Sequence, residues 1–202
     1  EKKMKKKIIV FANHVAFFIS HRLNIFIEAK KRGYEFLLIT GKKSSGIMEK
    51  KSLNKIKKYK IQHKTINFNS YSFNILNDLM SIIKILIIIK KFKPDILHTV
   101  APKPNLYGGI IAKFLNLKFT VVSFSGMGFL FTGNLSIVNY IKKFFFEALL
   151  HYVYLNKKIY TIVQNKDDLN FLRKKYDLKK NIQLIKGGSG VNLKKLTKIK
   201  RN

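Results

Sequence analysis

Five short stretches of this chain collect the residues able to grip a charged or hydroxyl-rich ligand. The first, Asn13–Arg22, ends in Ser20, His21 and Arg22. Set at the start of a helix, these three would offer unpaired backbone N–H groups and a guanidinium fork shaped for phosphate. The plainer reading is a helix cap, Ser20, beside a surface arginine. The second stretch runs from His98 to Asn105 and holds Lys103 between Pro102 and Pro104. Lys103 suits a phosphate or a sugar hydroxyl, and Asn105 suits the cap of the following helix. His98 suits either a ligand contact or a buried hydrogen bond at a strand end. The third, Ser125-Gly126-Met127-Gly128, lets backbone come close to a ligand because its glycines carry no Cβ. The fourth, Asn165–Asp168, contains two adjacent carboxylates, Asp167 and Asp168, expected to cap the next helix. The fifth is Gly187–Asn192.

Several chemistries are excluded by what these stretches lack. The Gly-x-Gly at Gly126 is not a dinucleotide fingerprint, because a third glycine is absent and the loop after the first strand has no glycine at all. There is no Gly-x-Ser-x-Gly elbow and no phosphate-binding Walker loop. No pair of carboxylates stands out as in a glycosidase. The 5 histidines are scattered rather than paired at helical spacing, and there is no cysteine, so neither a zinc site nor a disulfide framework is expected.

Lys and Arg number 41 against 10 Asp and Glu, a net charge of +31. Such a surface attracts phosphates, whether of nucleic acid, anionic lipid or a phosphorylated ligand. Heavy use of Lys, Ile and Asn also fits drift in an A+T-rich genome, which leaves the sign of the charge more informative than its size. No nucleic-acid-binding module stands beside the charge, so no nucleic-acid partner is expected. Apolar residues make up 47% of the chain, which suits a folded core. The run Ile8–Ala12 is too short for a signal-peptide core, and Leu79–Ile89 is interrupted by Ser81 and Lys84, so no membrane span is expected.

The elements that must position these stretches alternate in type. β-branched runs predict strands at Ile8–Ala12, Glu35–Thr40, Ile61–Ile66, Asp95–His98, Thr120–Phe124, Ile159–Gln164 and Ile182–Ile185. Helices are predicted from Ser20 to about Arg32, weakly over Ile47–Lys57, and over Asn74–Lys91, Asn105–Leu115, Ser136–Leu155 and Lys166–Lys175. In the third of these, Asn77, Ser81 and Lys84 form one narrow polar stripe. In the fourth, Gly108 and Gly109 imply close packing against a sheet or a ligand. The alternation implies an α/β fold: a Rossmann-like, doubly wound parallel sheet whose ligands bind beyond the carboxyl ends of the strands. One domain is expected over residues 1–186, with a Gly- and Lys-rich tail over 187–202.

At these loops the sequence resembles the family-4 glycosyltransferases of the GT-B fold, in particular bacterial enzymes that build surface polysaccharides or lipid-linked oligosaccharides. The resemblance is carried by Ser20-His21-Arg22, Lys93-Pro94-Asp95-Ile96-Leu97-His98, the run from Ala101 to Gly109, Ser125-Gly126-Met127-Gly128, Gln164-Asn165-Lys166-Asp167-Asp168 and Gly188-Ser189-Gly190-Val191-Asn192. They follow the family's order and spacing along the whole chain. The resemblance implies that this is the acceptor-side half of a two-domain GT-B enzyme, a hexosyltransferase that retains configuration. Ser20, His21, Arg22, His98, Lys103, Asn105, Ser125, Gly126, Gly128 and Asn165 would line the acceptor side. Gly188, Ser189, Gly190 and Asn192 would begin the crossing to a donor-binding domain that this chain lacks. Ser125 stands where many relatives carry a histidine that contacts the reacting sugar, so no catalytic residue is assigned.

No cofactor or metal is implied; the donor is a nucleotide sugar held mainly by the second domain. The implied acceptor is a polyprenyl-diphosphate-linked saccharide at the inner face of a bacterial membrane. The protein would then be cytoplasmic and peripheral on an anionic surface, and inactive by itself. A separately encoded donor domain would complete a split enzyme. The alternative is a non-catalytic, membrane-associated subunit of such an enzyme; a basic nucleic-acid-binding protein is the remaining rival.

Overall fold

The computed structural model describes residues 5–41, 46–68, 74–127, 137–178 and 180–185. The chain runs β1 (Lys7–Ala12), α1 (Val15–His21), α2 (Leu23–Lys31), β2 (Glu35–Gly41), α3 (Ile47–Lys58), β3 (Gln62–Ile66) and α4 (Ile75–Phe92). It continues β4 (Ile96–Val100), α5 (Pro102–Phe114), β5 (Phe119–Ser123), α6 (Ile137–Tyr154), β6 (Ile159–Val163), α7 (Lys166–Tyr176) and β7 (Ile182–Leu184). The seven strands form one sheet in the order β3-β2-β1-β4-β5-β6-β7. All six pairings are parallel. This is the expected Rossmann-like α/β sheet. The strand order reverses between β1 and β4, where α4 carries the chain back across the sheet.

Alternation along each strand divides the core in two. Ile8, Val10, Ala12, Phe36 and Leu38 pack against α1, α2 and α3 through Val15, Phe18, Phe26 and Ile56. Ile9, Phe11, Leu37, Ile39, Leu97, Val122 and Val163 pack against α4 to α7 through Ile85, Ile89, Leu106, Ile111, Leu150 and Leu172. Four helices thus share one face and three the other. The register aligns Val10 with His98, His98 with Val121 and Val121 with Tyr160. On the face that α1 to α3 cover at its other end, β5 to β7 therefore present Phe119, Val121, Tyr160, Ile162 and Gln183. Among the described residues this strip is left partly open: Phe119 is 52% and Tyr160 44% exposed, with their rings 6.1 Å apart.

Local chemistry moves several expected boundaries. The helix expected from Ser20 begins earlier and is broken in two at Arg22, which has φ −133° and ψ 1°. His14, not Ser20, caps α1: its Nδ1 accepts the Phe17 N–H at 3.1 Å. Ser20 lies inside the last turn, its Oγ donating to Ala16 O and Phe17 O. Pro102 sets the first turn of α5, so that helix starts three residues before Asn105, which is not its cap. Asn165 caps α7 by accepting the Asp168 N–H at 2.7 Å, so neither Asp167 nor Asp168 is the cap.

Of the α4 stripe, Asn77 and Lys84 are exposed while Ser81 is buried. Ser81 is turned inward, bonded to Asn67 O and Asn77 O, while Ile75, Leu76, Leu79, Met80, Ile83 and Ile87 face water. Gly108 and Gly109 do mark close packing, against β4 and α6. A Cβ on Gly108 would lie 2.3 Å from Thr99 Cγ2, and one on Gly109 2.5 Å from Val153 Cγ1.

Candidate functional site

In open parallel sheets ligands bind beyond the carboxyl ends of the strands, where the strand order reverses. Here that point lies between β1 and β4. The turn from β1 into α1 is where a dinucleotide fold would hold a diphosphate on backbone N–H groups. In this chain the turn is already filled from within. Glu49 of α3 accepts the Val15 N–H at 3.1 Å on Oε1 and the Ala16 N–H at 3.0 Å on Oε2. His14 Nδ1 lies 3.9 Å from the same carboxylate. The chain's own anion thus occupies the dinucleotide position, in keeping with the missing fingerprint. Nothing in the sequence near Glu49 marks this role, because its partners lie more than thirty residues away.

The three residues of the first loop part company. Ser20 and His21 stay exposed and bond to each other, Ser20 Oγ to His21 Nδ1 at 2.6 Å, with His21 stacked on Phe17 at 4.8 Å. Arg22 turns inward and is only 7% exposed, so it is no surface arginine. Its guanidinium packs over the Phe17 ring, 5.7 Å from the centroid, and Nη1 donates to His21 O at 3.0 Å. His98 in β4 is buried, with Nε2 hydrogen-bonded to Ser123 Oγ at 2.7 Å. Burial first, and the Arg22 charge second, lower its pKa to about 4. His98 is therefore neutral at pH 7. The structure thus joins His98 to Ser123, with the Arg22 charge near enough to His98 to lower its pKa; nothing in the sequence marks Ser123.

Lys103 and Asn105 serve the frame of the edge. Lys103 is 3% exposed and its Nζ donates to both oxygens of Asp78, at 2.9 and 3.0 Å. This pair ties the first turn of α4 to that of α5. Asn105 is fully buried; its Nδ2 donates to Ser123 O at 2.9 Å and its Oδ1 accepts from Thr99 Oγ1 at 2.8 Å. It thereby joins the ends of β4 and β5. The β4–α5 turn itself passes through Ala101 at φ 86°, an uncommon conformation for a residue with a side chain.

After β5, Ser125 and Gly126 are exposed between two buried residues, Phe124 and Met127. The Met127 N–H is held by the Asp168 carboxylate, 3.2 Å from each oxygen. Asn165 donates to the same carboxylate at 2.8 Å. Gly126 has φ 149°, and a Cβ added there would meet nothing within 4 Å. Glu49, Asp78 and Asp168 are each engaged with groups of the frame, while the Ser125–Gly126 turn is open to solvent. Gly128 and the hinge residues Gly188, Ser189, Gly190 and Asn192 lie outside the described residues. Among the described residues, no group of three or more His, Asp or Glu could hold a metal ion.

These features sit in a recognisable family. The chain belongs to the glycosyl transferase 4-like family, whose sequence model matches residues 7–165. Its fold is similar to that of a glycosyltransferase from Rickettsia africae, with TM-score 0.60 and 21% identity over 96% of this chain and 48% of that one. It is similar to a sucrose-phosphate synthase from Thermosynechococcus elongatus, with TM-score 0.55 and 13% identity over 94% and 49% of the two chains. A UDP-GlcNAc 2-epimerase from Methanocaldococcus jannaschii also matches, with TM-score 0.55 and 12% identity over 89% and 45%. At such identities the likeness shows the fold alone. The chain spans about half the length of these structures. No curated protein matches the sequence significantly.

Proposed function

We propose that this chain forms the acceptor side of a retaining hexosyltransferase, which moves a sugar from a nucleotide sugar to a polyprenyl-diphosphate-linked saccharide. The donor is then held by a second α/β unit, on the same chain or a separate one. The observation that carries this reading is Arg22, drawn inward beside neutral His98 at the strand-order reversal. Burial lowers the Arg22 pKa, so an anion brought next to it recovers Coulomb energy lost with water. A guanidinium meets a diphosphate by two parallel hydrogen bonds. The exposed Ser125–Gly126 turn offers backbone and hydroxyl groups to the diphosphate and to the sugar next to it.

The acceptor's lipid calls for an anionic membrane surface. Two features support that partner: the net charge of +31, and the outward faces of α4 and α6. Ile75, Leu76, Leu79, Tyr140, Phe144 and Phe145 are exposed there, and Lys84, Lys90 and Lys91 are exposed further along α4. Apolar and aromatic groups bordered by lysine suit the interface of an anionic bilayer. Among the described residues no helix is long and apolar enough to cross a membrane.

The test is a titration with a short-chain polyprenyl diphosphate saccharide. Arg22→Lys keeps the charge and loses the fork, so affinity should fall about tenfold. Unchanged affinity would remove Arg22 from the site.

A further inference from the structure

We propose that Asp168 is a positioning residue for the ligand-facing turn after β5. It acts from the first turn of α7 on the Met127 amide. The proposal rests on the reading that Ser125 and Gly126 line the acceptor site.

The turn is short and held at both ends. On one side Phe124 is buried and its N–H donates to Ile162 O at 2.9 Å, as a last rung of the sheet. On the other, Met127 is fully buried, and its N–H lies 3.2 Å from each Asp168 oxygen, across 41 residues of sequence. Between these anchors Ser125 and Gly126 bulge into solvent. Gly126 takes a backbone angle that residues with a Cβ avoid, yet the space a Cβ would fill is empty. Among the described residues, packing therefore leaves the shape of the turn undetermined at its tip. The anchor bonds must set it.

Asp168 is built for this task. Its side chain is buried, it receives Asn165 Nδ2 at 2.8 Å, and it sits where the α7 dipole favours a negative charge. The neighbouring Asp167 shares the helix turn but is exposed. A carboxylate placed to bond one loop amide, rather than to cap its own helix, couples the start of α7 to the β5 turn.

The experiment uses the whole chain and two measurements. Amide hydrogen exchange over residues 124–127 reads the clamp. Calorimetric titration with inorganic pyrophosphate, a probe for the acceptor's diphosphate, reads the site. In Asp168→Asn the charge is lost and an NH2 group replaces one of the two oxygens that share the Met127 N–H, so a charge-assisted bond becomes a weaker neutral one. Exchange at Met127 should rise ~10-fold or more, and pyrophosphate should bind at least ~5-fold more weakly. Asp167→Asn, which removes the same charge from the same turn, should leave exchange at Met127 unchanged. If Asp168→Asn does not fold, Asp168→Glu keeps the charge and displaces the carboxylate by one methylene, and serves in its place.

Unchanged exchange at Met127 overturns the clamp. Faster exchange with unchanged pyrophosphate affinity reduces Asp168 to a structural tie and overturns the positioning role. Weaker binding in Asp168→Asn together with unchanged binding in Arg22→Lys sustains the positioning role while removing Arg22 from the site. No pyrophosphate binding by the wild type removes the acceptor site and the positioning role together.

Discussion

Acidification should weaken this protein through one buried imidazole. In the folded chain His98 holds its proton only below about pH 4, whereas an unfolded histidine titrates near 6.5. The folded pKa is depressed, so above pH 6.5 both states are neutral and His98 imposes no penalty. As pH falls from 6.5 to 4 the unfolded chain takes up a proton that the folded one refuses. Stability then drops by about 1.4 kcal/mol per pH unit, ~3 kcal/mol across the window, and the loss levels off below it. Against a typical stability of about 5–15 kcal/mol this is a large share. His63 is depressed in the same direction by burial, and the net charge of +31 adds repulsion of its own. The His98 contribution must therefore be read as a difference. His98→Gln keeps a polar group opposite Ser123 Oγ and cannot titrate. Urea denaturation of both proteins from pH 8 to 4.5, at constant ionic strength, should show the wild type falling more steeply by ~2–3 kcal/mol. Parallel curves would show that His98 is not held neutral by burial beside Arg22.

Three further outcomes are expected. Gly109→Ala drives a Cβ to 2.5 Å from Val153 Cγ1 and should cost about 1–3 kcal/mol in thermal or urea unfolding; Val153→Ala in the same chain should recover much of it. Co-sedimentation should show binding to anionic vesicles that is lost at ~1 M salt, where the Debye length shrinks to about 3 Å, with little binding to neutral vesicles; equal binding to both kinds would refute the electrostatic reading. Calorimetry with UDP- and GDP-sugars should find no binding tighter than about millimolar, ~−4 kcal/mol, and a radiolabel assay no transfer by this chain alone; micromolar affinity or turnover would overturn its assignment to the acceptor side.

Most strands were legible because β-branched runs and the spacing between them report a parallel sheet directly. What escaped was decided by contacts between distant residues or by rarer local chemistry. His14 caps α1 through an imidazole nitrogen, a role usually filled by Ser, Thr, Asp or Asn, so Ser20 drew the assignment instead. The positive φ of Ala101 lets α5 begin at once after β4, and that left Asn105 free to brace β4 and β5. Glu49, Asp78 and Asp168 all hold the site's frame from other elements, across at least 25 residues in each case. Helical periodicity identified the polar stripe of α4 but carried no information on which side met the sheet. Arg22 and His98 were both marked as candidates by type and position; that Arg22 lies close enough to help hold His98 neutral is a fact of packing alone.

The bare strip on β5 to β7 has a thermodynamic side. Parallel strands are ordinarily hidden on both faces, and here Phe119 and Tyr160 of one face meet water. A molecule that sealed them would bind the folded chain and not the unfolded one, and would add to stability by mass action, ~2.7 kcal/mol at a hundred times its dissociation constant. The melting temperature would then climb with the concentration of that molecule.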